Sequence, residues 1–192
     1  MPQVSRTVVN SGLLELSRKG FLIIKPRVGT FIADYRRTGT LETLISILKY
    51  NGGILRSSEI RSILEIRIAL TELAIRLTIP KLTENDIHSL RNYVVGIVKA
   101  STNKEASEKA FEFHHELALL SGNMLLPLIY YSFKEAVLTL WERFCTLYTK
   151  EKLYTNTEML WQLIEKKDIE GAILWSKKMI YDTIEGEHQI YY

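Results

Sequence analysis

Several things are scarce in this sequence, and each shortage excludes a class of protein. A single cysteine, Cys145, stands among 192 residues, so no internal disulfide can hold the chain and a reducing compartment is expected. No run of 18 apolar residues occurs, which argues against a membrane-spanning helix. No basic stretch followed by an apolar one opens the chain, so the cytoplasm is the expected location. Glycine and proline gather at residues 20–40 and 51–53 and are sparse afterwards, which places turns and strands early and helices later. Catalytic signatures are missing as well: there is no nucleophile elbow, no phosphate-cradling glycine loop and no metal pair. His114 has Ala110, not a carboxylate, one helical turn before it. An enzyme is therefore not expected.

What is present suffices for a core. Hydrophobic residues make up 46% of the chain and charged residues 24%, which are globular values. The net charge of +3 is unevenly spread. Residues 1–37 hold seven basic side chains against two acidic ones, whereas the remainder holds 18 basic and 20 acidic. Only the N-terminal part is thus suited to face a polyanion, the alternative being a merely solvated surface.

The pattern of elements follows that division. Ser5 before Val8, Val9, Leu13 and Leu16 reads as an N-cap and one apolar stripe, ended by Lys19-Gly20. Phe21–Ile24 and Thr30–Ile32, around Lys25-Pro26-Arg27-Val28-Gly29, read as a two-stranded hairpin with a basic tip. Leu41, Leu44, Ile45 and Leu48 predict a short helix before the break at Asn51-Gly52-Gly53. Longer helical patterns follow at roughly 57–79, 83–100, 104–121, 124–148, 153–166 and 168–187, which makes an antiparallel bundle. Three segments are expected: 1–37, a linker with a short helix over 38–53, and a helical domain over 54–192.

The string Val4-Ser5-Arg6-Thr7, then Gly20-Phe21-Leu22, then Val28-Gly29-Thr30-Phe31-Ile32 resembles the second half of the winged helix-turn-helix of the GntR superfamily, FadR-like branch. The resemblance implies a mainly α protein, with a partial winged helix (recognition helix plus wing) before an all-α bundle of six to seven helices. It implies DNA contacts from Ser5, Arg6, Thr7, Asn10, Lys25, Arg27 and Gly29. A helix N-terminus offers amide donors to phosphate, an arginine can read a guanine edge, and a basic tip can enter the minor groove. Two departures stand out. Only Met1, Pro2 and Gln3 precede the motif, so the family's two opening helices are missing from this chain and the apolar face is incomplete. Asn10 stands where arginine is usual, and Gly12, where alanine is usual, costs on the order of 1 kcal/mol of helix stability.

Residues 40–187 resemble the FadR C-terminal effector-binding domain, through Glu65-Ile66-Arg67, Phe113-His114-His115-Glu116-Leu117, Ser121-Gly122-Asn123, and Leu163-Ile164 with Asp168 and Ala172. Many members hold a divalent metal there. Carried over by position, its ligands fall on Ala110, His114, Thr157 and Met179. Only His114 is a usual ligand, and His115 and His88 are not placed to replace the others. No metal and no cofactor are therefore expected.

What remains is a pocket for an organic effector, expected to be lined by Arg67, His114, Asn123, Thr157 and Trp161, with Tyr130 and Tyr131 as walls. Arginine suits a carboxylate or phosphate. The competing reading pairs Arg67 with Glu65 or Glu116 and leaves His114 as a core residue. Most aromatic residues of the C-terminal third should be core. A leftover stripe would serve a homodimer, which a pseudo-palindromic operator requires. The function expected is a cytoplasmic repressor that binds double-stranded operator DNA under control of a small effector, possibly a carboxylate. The alternative is an effector-binding and dimerising module that no longer touches DNA.

Overall fold

A computed structural model describes residues 5–50 and 56–190, without the side chains of residues 49 and 50. The expected break at Asn51-Gly52-Gly53 lies outside the described residues. The chain divides into two compact units, residues 1–53 and 54–192.

In the N-terminal unit, α1 (Arg6–Arg18) starts where Ser5 Oγ accepts from the Val8 amide at 3.3 Å, taking up one of the four orphan donors of a helix start. It ends at Gly20, whose φ of +80° a residue with a side chain would resist. Strands β1 (Leu22–Lys25) and β2 (Gly29–Ile32) pair antiparallel, Leu22 opposite Ile32 and Lys25 opposite Gly29. A one-turn helix α2 (Tyr35–Thr38) and α3 (Leu41–Tyr50) follow. Thr43 ties α3 to the end of α1: its hydroxyl donates to the Lys19 carbonyl at 2.7 Å and accepts from the Thr40 amide at 2.9 Å. Thr40 and Thr43 lie in the stretch expected as a linker with a short helix, and that helix is α3. No residue of α1 is buried, and Val8, Val9, Leu14 and Leu16 stay exposed, in keeping with an apolar face that is only partly covered.

The second unit holds seven helices among its described residues: α4 (Ser57–Thr78), α5 (Glu84–Lys99), α6 (Asn103–Leu120), α7 (Leu126–Ser132), α8 (Lys134–Tyr148), α9 (Lys150–Glu165) and α10 (Ile169–Ile184). Thr83 with Asp86 and Thr102 with Glu105 form reciprocal capping boxes at the starts of α5 and α6. Helix α4 packs on α10 and α6, α5 on α6 and α9, and α8 on α6 and α9. Phe113, Leu64, Leu90, Ile97 and Ile164 lie at the centre. Where the sequence pattern predicts one helix over 124–148, there are two. Phe133, with φ −92° and ψ 1°, turns the chain between α7 and α8, and its buried ring rewards the break. Among the described residues no helix is long and apolar enough to cross a membrane.

Candidate functional site

The basic surface of the first unit comes from two elements. Arg6, Thr7 and Asn10 are exposed on the opening turns of α1, with no acidic residue in the first turn to oppose a phosphate. Lys25, Arg27 and Gly29 are exposed at the hairpin. Arg27 sits at the tip with φ +62°, a left-handed conformation that tight hairpins require, and Gly29 also takes a positive φ. Lys25 Nζ stands over the Phe31 ring, 5.5 Å from its centre. By contrast, the basic end of α1 is neutralised: Arg18 pairs with Glu15 and Glu42, and Lys19 with Glu15. The Arg18 and Lys19 hydrogen bonds pull the Glu15 carboxyl down to about 2.

The second unit contains a partly enclosed cavity between α4, α6, α8, α9 and α10. Its volume is about 60 Å³. Arg67 of α4, His114 of α6 and Thr157 of α9 all face it. Trp141 and Phe144 of α8 and Trp175 of α10 provide aromatic walls.

Arg67 is the electrostatic feature of this cavity. Its guanidinium lies 4.2 Å from the centre of the Trp141 ring, a cation–π arrangement. Its Nε is buried without a hydrogen-bond partner among the described residues. The acids expected as partners do not reach it: Glu65 pairs with Arg61 at 2.9 Å, and no ion pair joins Arg67 to Glu116 among the described residues. His114 is buried against Trp141 and Phe113. Burial, and then the neighbouring Arg67 charge, push its pKa well below the ordinary histidine value, so the imidazole is neutral at pH 7.

The positions to which the FadR-domain resemblance carries metal ligands do not fit a metal here. His114, Thr157 and Met179 line the cavity and Ala110 is fully buried in α6, but a hydroxyl, a thioether and a methyl group do not complete a metal site. Among the described residues no group of three or more His, Cys, Asp or Glu could hold an ion. His115 points elsewhere, stacking on Phe111 with Nε2 3.2 Å from the Pro127 carbonyl.

Four of the residues expected at the pocket stand apart from this cavity, among them Tyr131, which is exposed and packs against Phe111 and His115. Asn123 is spent on the chain turn, its Oδ1 accepting from the Leu125 and Leu126 amides that open α7. Trp161 faces α5, donating to the Ile87 carbonyl at 3.1 Å beneath the Arg91 guanidinium. Tyr130, together with Arg67, lines a smaller hollow walled by Ile63, Leu70 and Val137, where its hydroxyl has no partner among the described residues.

One wall lies beyond the predicted last helix. After α10 the chain folds back: His188 pairs with Asp182 and packs edge-on against Tyr148, ring centres 4.9 Å apart. The Tyr148 hydroxyl donates to the Gln189 carbonyl at 2.7 Å. This brings Ile190, 2% exposed, into the cavity wall. No periodic signal marks Ile190 in the sequence. Trp141 and Trp175 are among the C-terminal aromatic residues expected mostly as core; Trp141 is buried and Trp175 half-buried, and both form walls.

Comparison with known proteins accords with this architecture. Residues 62–180 match the model of the FCD domain. Over 125 residues the chain is 28% identical to the HTH-type transcriptional regulator LutR of Bacillus subtilis (strain 168), covering 65% of this chain and 55% of that protein, so it spans little more than half of the relative's length. Among solved structures, a GntR protein of Streptococcus agalactiae superposes with a TM-score of 0.56 at 17% identity, over 94% of this chain and 82% of the other. A GntR-family transcriptional regulator of Pseudomonas syringae pv. tomato str. DC3000 gives 0.54 at 19% identity, over 97% and 70%. With residues 62–180 matched, the chain belongs to the FCD domain family, and its fold is shared with solved structures of GntR-family proteins.

Proposed function

We propose that this protein is a cytoplasmic, homodimeric transcriptional regulator whose grip on operator DNA is set by a small organic anion bound in the cavity of its helical unit. The observation that carries the reading is Arg67: a permanent cation, unpaired among the described residues, inside a partly enclosed apolar cavity. A charge kept there without a partner costs stability unless an anion offsets it. The effector would act by its differential affinity for two arrangements of the protein. The exposed Arg6, Thr7 and Asn10 on α1, with Lys25 and Arg27 on the hairpin, supply the DNA contacts: α1 in the major groove and the wing beside it. The hydrogen bond from Thr43 of α3 to the Lys19 carbonyl anchors only the C-terminal end of α1.

A second reading has one observation in its favour. Because α1 buries none of its residues, the first unit of this chain has little to hold α1 against a duplex, and the protein would then be an effector-binding dimer without DNA contact. Gel retardation at low salt separates the two, using promoter DNA adjoining the gene. It compares this chain with a form extended by the sequence encoded upstream. Retardation by either form, relieved by small acids, supports the regulator; no retardation by either sinks it.

A further inference from the structure

We propose that the cavity takes a short monocarboxylate with an apolar body, and takes it without a metal ion. This rests on the reading of the cavity as an effector site, and narrows it by the chemistry of the wall.

Charge sets the first limit. Among the described residues Arg67 is the only one in the wall that carries a formal charge at neutral pH, and no acidic side chain among them lines the cavity. One guanidinium matches one carboxylate, bidentately. A second carboxylate would be buried unpaired, and an ammonium group would find no counter-charge, so dicarboxylates and amino acids are both disfavoured.

Hydrogen bonding sets the second limit. The hydroxyl protons of the wall are already committed: Thr157 donates to the Leu153 carbonyl at 2.9 Å, Ser176 to Ile173 at 3.0 Å and Thr183 to Ile180 at 2.7 Å. The Trp175 indole N–H is likewise spent, on the Asn156 carbonyl at 2.9 Å. A polyhydroxylated acid would have, among the described residues, only the His114 ring and the Asn156 side chain left uncommitted in the wall to meet its several hydroxyls, and each hydroxyl buried without a partner carries a cost. Leu64, Leu140, Leu153, Leu160 and Ile180 offer instead a surface for hydrocarbon.

Metal chemistry and size set the rest. His114 has only the Thr157 hydroxyl and the Met179 thioether beside it in the cavity wall, too poor a donor set for an ion, so the carboxylate must be held by Arg67. The cavity volume of about 60 Å³ corresponds to roughly four to six water-sized groups, which suits an acid of about three to six carbons. Ile190, held inward by the folded-back tail, is one boundary of that volume.

The test uses the full chain and a named series: acetate, propionate, butyrate, valerate, hexanoate and octanoate, with succinate, alanine and gluconate as contrasts. Binding is read by the fluorescence of the wall tryptophans and by thermal shift, with and without EDTA. The expected result is a maximum between propionate and hexanoate, at least tenfold tighter than succinate, alanine or gluconate and unaffected by EDTA. Arg67→Met should weaken the best acid tenfold or more. Ile190→Ala should move the maximum toward longer acids, an outcome that does not depend on Arg67→Met remaining folded. If succinate, alanine or gluconate binds best, or binding needs added zinc or manganese, this proposal falls while the effector cavity stands. If no compound of any class binds at millimolar concentration, both fall.

Discussion

The guanidinium of Arg67 rests on the face of Trp141, at 4.2 Å from the ring centre, and no carboxylate among the described residues shares it. Trp141 is only 6% exposed, so the pair holds a cation against an apolar wall. The quadrupole of an indole attracts a cation by about 0.5–2 kcal/mol, less than a carboxylate would.

That arrangement separates stability from binding. Arg67→Met keeps much of the side-chain volume and removes a poorly compensated charge. The free protein is expected to stay as stable as wild type or gain about 1 kcal/mol, read from urea unfolding. A loss of more than about 2 kcal/mol would mean that Arg67 has a structural partner.

His114 makes stability depend on pH in a definite direction. Its folded-state pKa lies well below the ordinary value of 6.5, so near neutrality both folded and unfolded chains carry it uncharged. Below about 6.5 the unfolded chain takes up a proton that the folded one refuses, and stability falls by up to about 1.4 kcal/mol per pH unit from this group until the folded pKa is reached. Unfolding measured from pH 7.5 to 5 should show this slope in wild type and a shallower one in His114→Gln. Parallel curves would mean that the imidazole is not buried neutral.

At the hairpin tip, charge and conformation can be pulled apart. Arg27 has φ +62°, which glycine adopts without strain. Arg27→Gly is expected to preserve the Leu22–Ile32 and Lys25–Gly29 register, checked by NMR, while weakening DNA binding across sequences. The logarithmic salt slope should fall by about one if Arg27 meets a phosphate. Unaltered affinity with an intact hairpin would remove Arg27 from the contact surface.

The folded-back tail is held partly by one hydroxyl. Tyr148→Phe removes only the donor to Gln189 and should leave the bundle intact. Amide exchange at Ile190, whose N–H meets the Thr183 carbonyl at 3.3 Å, is expected to speed up several-fold; a lost bond of about 1 kcal/mol is a factor of about five. Unchanged exchange would show that His188 and Asp182 hold the segment alone.

Local physics was legible in the sequence where it dominates. Ser5 before an apolar stripe and Gly20 after it bounded α1, and Lys25-Pro26-Arg27-Val28-Gly29 announced the hairpin. Thr83 and Asp86 opened α5. Each depends on residues a few positions apart, and so does the charge imbalance that singles out the first unit. Arg67, His114 and Thr157 could be grouped only through likeness to the FadR C-terminal domain, because 90 residues separate the first from the last.

Long-range packing decided the rest. Asn123 carries the same amide whether it faces a cavity or caps a helix, and only the turn before α7 directed it to the Leu125 and Leu126 amides. Trp161 was drawn to α5 by the Ile87 carbonyl. Phe133, its ring buried, takes non-helical backbone angles inside a pattern that reads as one helix. Ile190, six residues past the end of α10, reached the cavity through contacts with Tyr148, Thr183 and Asp182. Caps, turns and charge balance are encoded by neighbours along the chain. Which polar group is left unpaired inside depends on what packs around it, and that is settled only when distant helices meet.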